Sequence, residues 1–173
     1  MRDTTMKKTL AALASLALIP TAAVALDVVA PHPGTVTATT YYSSGAFHGA
    51  VDLSGNCGVD TLEAPISGVR TWNFTIRTTG IVCNGNGSGN HNAVTTPLSD
   101  GRVLRLWHFI KTAASYDKTC DRCQLGDVGG TGAVTGPNTH IQVDKNGTNI
   151  TSWYSGYTVK GEFLSRGEVV GVL

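Results

Sequence analysis

After its first 25 residues the chain lacks three things: an apolar run long enough to cross a membrane, a long amphipathic helical pattern, and an excess of either charge. Each absence removes a class of function. Without the 3.6-residue apolar period there is no basis for a helical bundle. Only 14% of residues are charged, and removing Arg2, Lys7, Lys8 and Asp3 leaves ten basic and eleven acidic side chains, a net charge of −1. A balance so close to neutral gives no electrostatic footprint for nucleic acid or anionic lipid. No internal repeat, linker or shift in composition divides the chain, so residues 26–173 are expected to form one domain with room for a sizeable core.

The first 25 residues have the order of an export signal. Arg2, Lys7 and Lys8 are basic, Leu10 to Ile19 are apolar, and Ala23-Val24-Ala25 offers small residues for cleavage. The apolar stretch is about half of the ~20 residues a membrane span needs. A buried N-terminal helix is the competing possibility, and the ordered pattern speaks for a signal peptide over 1–25. The mature protein is then secreted or periplasmic, with no membrane segment of its own once the signal is removed. In such an oxidising compartment the four cysteines are expected to pair, as Cys57–Cys83 and Cys120–Cys123, joining neighbours in sequence. A zinc knuckle or a redox pair at Cys120-Asp-Arg-Cys123 would be the alternative, but no second C-x-x-C accompanies it.

Short runs rich in Val, Ile, Thr and aromatics recur at Gly34–Tyr42, Val69–Arg77, Asn92–Thr96, Val103–Phe109, Thr139–Val143 and Tyr157–Phe163. Gly, Asn, Ser and Pro clusters separate them, and the 21 glycines suit tight turns. The fold class predicted is all-β, an antiparallel sheet. Cys83-Asn-Gly-Asn-Gly-Ser-Gly-Asn90 reads as an exposed loop, and Asp117 to Gly126 as a second polar loop closed by its own disulfide. The segment after Asn146 has strand-like composition and too few residues to fold alone.

Several side chains could do chemistry. His48 and Asp52 lie four apart in Phe47-His-Gly-Ala-Val-Asp52. In a regular strand they would stand ~13 Å apart, so a shared metal requires a bend, which Gly49 permits. His140 follows a Gly/Thr loop, Gly129 to Gly136, and begins a short alternating run. That loop has neither the lysine nor the helix of a phosphate cradle, and its plain reading is a turn before an edge strand. His108 sits in the apolar run Leu104-Arg-Leu-Trp-His-Phe-Ile110, where a lone histidine is more often a hydrogen-bonded core residue. His91 reads as a solvated loop histidine.

The order of these segments resembles the lysostaphin-like (LytM-type) zinc metallopeptidases, which cut peptide bonds in bacterial peptidoglycan. Phe47-His-Gly-Ala-Val-Asp-Leu53 is similar to that family's H-x-x-x-D segment, and Leu62-Glu-Ala-Pro-Ile-Ser-Gly-Val69 to the strand that follows it. Leu106-Trp-His-Phe109 resembles its Y-x-H-L strand. Gly126 to Val143 resembles its final G-P-H-x-H segment, the most specific of the four. The resemblance spans roughly residues 30–145.

It implies an antiparallel β-domain with a metal site in a groove across the sheet. Zn2+ would be held by His48, Asp52 and His140, leaving one position for water. His108 would move protons. The first histidine of H-x-H is replaced by Asn138, which can donate to an oxyanion but cannot accept and return a proton near neutral pH. The activity implied is a zinc endopeptidase acting, as a monomer, on peptidoglycan peptides. The alternatives are a catalytically impaired zinc-binding homologue that binds wall peptide or protein, and, more remotely, a disulfide-stapled inhibitor in which the histidines are incidental.

Overall fold

The computed structural model describes residues 25–173, so the expected signal peptide lies outside the described residues except for Ala25. Thirteen strands are present among the described residues. They are β1 (Asp27–Val29), β2 (Gly34–Ala38), β3 (Val51–Ser54), β4 (Thr61–Glu63), β5 (Arg70–Thr75), β6 (Ala93–Pro97) and β7 (Arg102–Trp107). They continue as β8 (Lys118–Cys120), β9 (Gln124–Asp127), β10 (Asn138–Lys145), β11 (Thr148–Ile150), β12 (Phe163–Leu164) and β13 (Val169–Val172).

The main sheet runs β12-β2-β3-β10-β7-β6-β5-β8, with β11 added to β10, and every pair is antiparallel. Two smaller pairs, β1–β13 and β4–β9, flank it. The predicted all-β antiparallel class is the architecture found. No helix among the described residues is long and apolar enough to cross a membrane.

Side chains alternate across a strand, and this rule builds both the core and the site. Val51 and Leu53 of β3, Leu104 and Leu106 of β7, and Ile141 and Val143 of β10 point to one face and are fully buried. They pack with Trp72, Phe109 and Leu125. Their neighbours Asp52, Arg105, Trp107, His140, Gln142 and Asp144 are left on the opposite face. The strand carrying His140 is therefore central, not an edge, because β3 and β7 cover both its sides.

Two expected elements differ. Tyr157–Phe163 is not a strand: turns occupy Tyr157 and Lys160–Gly161, Gly161 takes φ of 92°, which an extended run does not tolerate, and β12 begins only at Phe163. The polar loop expected over Asp117–Gly126 instead contributes β8 to the main sheet and β9 to the pair with β4. The C-terminal segment joins the same core through Trp153, Tyr154, Leu164 and Val170, and Tyr154 reaches back to bond Thr40 at 3.0 Å.

Both expected disulfides are present, Cys57–Cys83 and Cys120–Cys123, and no described cysteine is free. The first closes a sequence separation of 26 residues, and the chain-entropy relation gives it about 3.5 kcal/mol of stabilisation. The second closes a separation of only 3, and the same relation gives about half as much. Replacing Cys57 and Cys83 together by serine is thus expected to lower the denaturation midpoint about twice as far as replacing Cys120 and Cys123. Equal losses in chemical denaturation would contradict this.

Candidate metal centre

The antiparallel register sets His140 opposite Asp52 on β3 and opposite Trp107 on β7. Three side chains thereby stand in a row across the non-core face. His48 reaches them from the loop before β3. The N–H groups of His48 and Gly49 both donate to Thr40 O, at 2.9 and 3.1 Å, and Gly49 has φ 73°. A Cβ there would meet only the side-chain ends of Asn149 and Phe47, which can move, so it is the backbone angle that calls for glycine at position 49. This bend closes the ~13 Å of a straight strand to 3.1 Å between His48 Nε2 and Asp52 Oδ1.

His140 Nδ1 lies 2.9 Å from the same Asp52 oxygen and 3.0 Å from His48 Nε2. The protons around this triangle are fixed from outside. His48 Nδ1–H donates to Thr39 O at 2.7 Å, and His140 Nε2–H donates to Gln142 Oε1 at 3.0 Å. Each imidazole then presents a lone pair inward, toward a carboxylate that can only accept. Three electron pairs ~3 Å apart repel one another unless a cation joins them. Ligands ~2.0–2.2 Å from a tetrahedral zinc are themselves separated by roughly 3.3 Å, so the donor set, its spacing and its outer hydrogen bonds fit that ion.

The electrostatics favour positive charge at the same point. Burial alone would raise Asp52, but with protons in place of a cation, so that His140 Nδ1 and His48 Nε2 donate to it, those hydrogen bonds outweigh burial and hold its pKa at about 2. Burial alone would lower His48, and the bond and charge of Asp52 reverse that to a net rise. Trp107 stacks on His140 with ring centroids 4.4 Å apart and planes 4° from parallel, fixing the imidazole plane.

His108 would point into the core if β7 simply continued. Its φ of 78° breaks the alternation, and its ring comes to 5.9 Å from that of His140. A bulky residue in this conformation is costly unless the surroundings enforce it. Here His108 N–H donates to Asn92 O at 3.0 Å, Thr131 N–H donates to His108 O at 3.1 Å, and His108 Nδ1–H donates to Thr131 O at 2.7 Å. Nε2 is left as the acceptor. Burial, the dominant cause, together with the charge of His140, lowers its pKa to about 4. It is neutral at neutral pH.

Beside these groups lies a cleft of about 630 Å3 lined by Tyr42, Asp52, His108, Pro137 and Asn138 among others. Asn138 Nδ2 donates to Gly136 O at 3.0 Å, while its Oδ1 is buried with no hydrogen-bond partner among the described residues. All five residues singled out from the sequence are thus brought to one place. Tyr42, Trp107 and Gln142 join them without having been singled out. Tyr42 lies with its ring centroid 4.4 Å from that of His48, and burial, with the charge of Asp52, raises its pKa and keeps the hydroxyl protonated. The solvated reading of His91 is corrected. It is on a loop, but it packs 5.0 Å from Trp107 and 5.9 Å from His108, because Gly132 lets the two loops meet.

Two solved structures that share this fold are described as M23 proteins. A single-substitution variant of the catalytic domain of the prophage-encoded M23 protein EnpA from Enterococcus faecalis superposes with a TM-score of 0.51 at 23% identity, covering 70% of this chain and 93% of that one. A Pseudomonas aeruginosa protein described as an M23 peptidase gives 0.50 at 21% identity over 72% of this chain. The match covers 48% of that protein, so this chain spans about half its length. No family model and no curated protein matches the sequence. The fold is that of the M23 peptidases.

Proposed function

We propose that this protein is an exported, monomeric zinc endopeptidase that hydrolyses peptide bonds in bacterial peptidoglycan. The observation that carries this reading is the meeting of His48 Nε2, Asp52 Oδ1 and His140 Nδ1 within 3.1 Å of one another, beside a cleft. The M23 fold of the two solved neighbours supports a peptidase, and the peptidoglycan substrate rests on the resemblance of the four sequence segments.

His48, Asp52 and His140 would hold the ion. Bound there, zinc supplies Lewis acidity toward the scissile carbonyl and hydroxide near neutral pH. The remaining steps fall to the chain itself. His108, neutral and with Nε2 unprotonated, accepts a proton in the cleft and returns it to the leaving amine. Tyr42, whose hydroxyl stays protonated, and the Asn138 amide donate to the developing oxyanion. Asp52, held ionised, balances the charge of the metal.

One observation favours a second reading, a zinc-holding module that binds wall peptide without cutting it. The Asn138 amide is engaged by Gly136 O, and an amide handles no proton at this pH.

Mature protein, residues 26–173, is expected to carry equimolar zinc and to release soluble peptide from purified peptidoglycan. Zinc without hydrolysis would move the protein to the second reading. Absence of bound zinc would sink both.

A further inference from the structure

Behind His140, on the same face of the sheet, runs a chain of hydrogen bonds that none of the proposed chemistry uses directly. His140 Nε2 meets Gln142 Oε1 at 3.0 Å. Gln142 Nε2 donates to Asp144 Oδ1 at 2.6 Å, and Arg105 Nε donates to Asp144 Oδ2 at 2.5 Å. The three residues of β10 are spaced by two and so share one face, and the β10–β7 register sets Arg105 directly opposite Gln142. Asp144 is buried, and Arg105 supplies its counter-charge.

The chain has a direction. A carboxylate only accepts, whereas a glutamine amide donates at one end and accepts at the other. Asp144 therefore dictates which end of Gln142 turns toward it, and the carbonyl must face His140. An acceptor at His140 Nε2 in turn requires the proton on that nitrogen, which leaves the lone pair on Nδ1, the atom facing Asp52 and His48. Outer-shell partners of metal-binding histidines fix the tautomer in this way.

We infer that Gln142, oriented by Asp144 and Arg105, is a positioning residue that selects the metal-binding tautomer of His140. The proposal rests on the metal-centre reading above and adds how that centre stays competent. In Asp144→Asn the direction is lost: residue 144 can now donate, Gln142 is free to turn its NH2 toward His140, and the imidazole proton is driven to Nδ1. In Gln142→Leu, His140 loses its acceptor altogether. The double substitution Gln142→Glu with Asp144→Asn restores the order. The carboxylate then placed at position 142 accepts from His140 and from the amide placed at position 144, and the oxygen of that amide accepts from Arg105.

Two readouts independent of hydrolysis test this on the mature protein: zinc affinity by competition with a chelating dye, and imidazole 15N shifts with zinc as the probe. Native protein is expected to show His140 protonated on Nε2 and metal-bound through Nδ1. Asp144→Asn and Gln142→Leu are expected to bind zinc about ten- to a hundredfold more weakly, and the double variant within a few-fold of native. The proposal is overturned if Asp144→Asn leaves affinity and shifts unchanged, or if the double variant stays as weak as Asp144→Asn. Should Asp144→Asn not fold, the double variant decides alone: native-like affinity with the Nε2–H signal supports the relay, and weak affinity overturns it. Native protein that bound no zinc would sink the metal centre itself, a result distinct from either.

Discussion

His48→Ala is expected to yield a folded protein that retains no zinc after dialysis and releases nothing detectable from peptidoglycan. The fold should survive because His48 lies in the loop before β3 and takes no part in the apolar core. Its backbone N–H bond to Thr40 O does not depend on the side chain. The metal should not survive. Apparent zinc-binding energies of ~10–16 kcal/mol in four-ligand peptide sites amount to roughly 3 kcal/mol per ligand, or about a hundredfold in affinity. The Asp52–His140 remnant has one imidazole and one carboxylate, and open zinc sites use three protein ligands. Zinc content by atomic spectroscopy, measured with the lysis assay, checks both halves. A further check is thermal: chelator should lower the melting temperature of the native protein and leave that of His48→Ala unmoved, since only a protein that binds the ion gains stability from it. Stoichiometric zinc in His48→Ala would remove this triangle from consideration.

Much of this site could be read from single segments, and what could not depends on register. The alternating runs around Val103–Phe109 and Thr139–Val143 correspond closely to β7 and β10. The need for a bend at Gly49 followed from the distance a zinc ion imposes. The ligand set itself came from the resemblance. The pairing of His140 with Asp52 joins residues 88 apart in sequence, and no local pattern encodes such a pairing. β3 has only four residues, too few for alternation to stand out next to a glycine. Trp107 and Gln142 look like ordinary exposed strand positions until the β7–β10 register sets one on His140 and gives the other a partner. His91 looked solvated because its neighbour, the loop at Gly132, lies 41 positions away. The φ of His108 is written nowhere in its own segment. It is imposed by Asn92 and Thr131, which come from two other parts of the chain.

That imposed conformation is why His108→Ala is expected to lower kcat about 10²–10⁴-fold, the usual contribution of a positioned proton-transfer group, while zinc content and KM change little. Removing the ring deletes a group that acts in the transition state and leaves the His48, Asp52 and His140 triangle intact, the pattern of a lost transition-state interaction. Loss of zinc in this variant would instead make His108 structural. The same reasoning gives the direction for Asn138. Asn138 and His140 are two apart on β10 and share a face, and the buried Asn138 Oδ1 has no partner among the described residues to sacrifice. An imidazole there can take up the proton work that an amide cannot. Asn138→His is therefore expected to raise kcat on the order of ten- to a hundredfold, and to recover part of the activity lost in His108→Ala, since two histidines beside one cleft can substitute for each other in proton transfer. The two effects should not add, because groups serving one step act as a unit. If Asn138→His lowers kcat in the native background, then asparagine is the adapted residue, and oxyanion donation rather than proton transfer is what position 138 supplies.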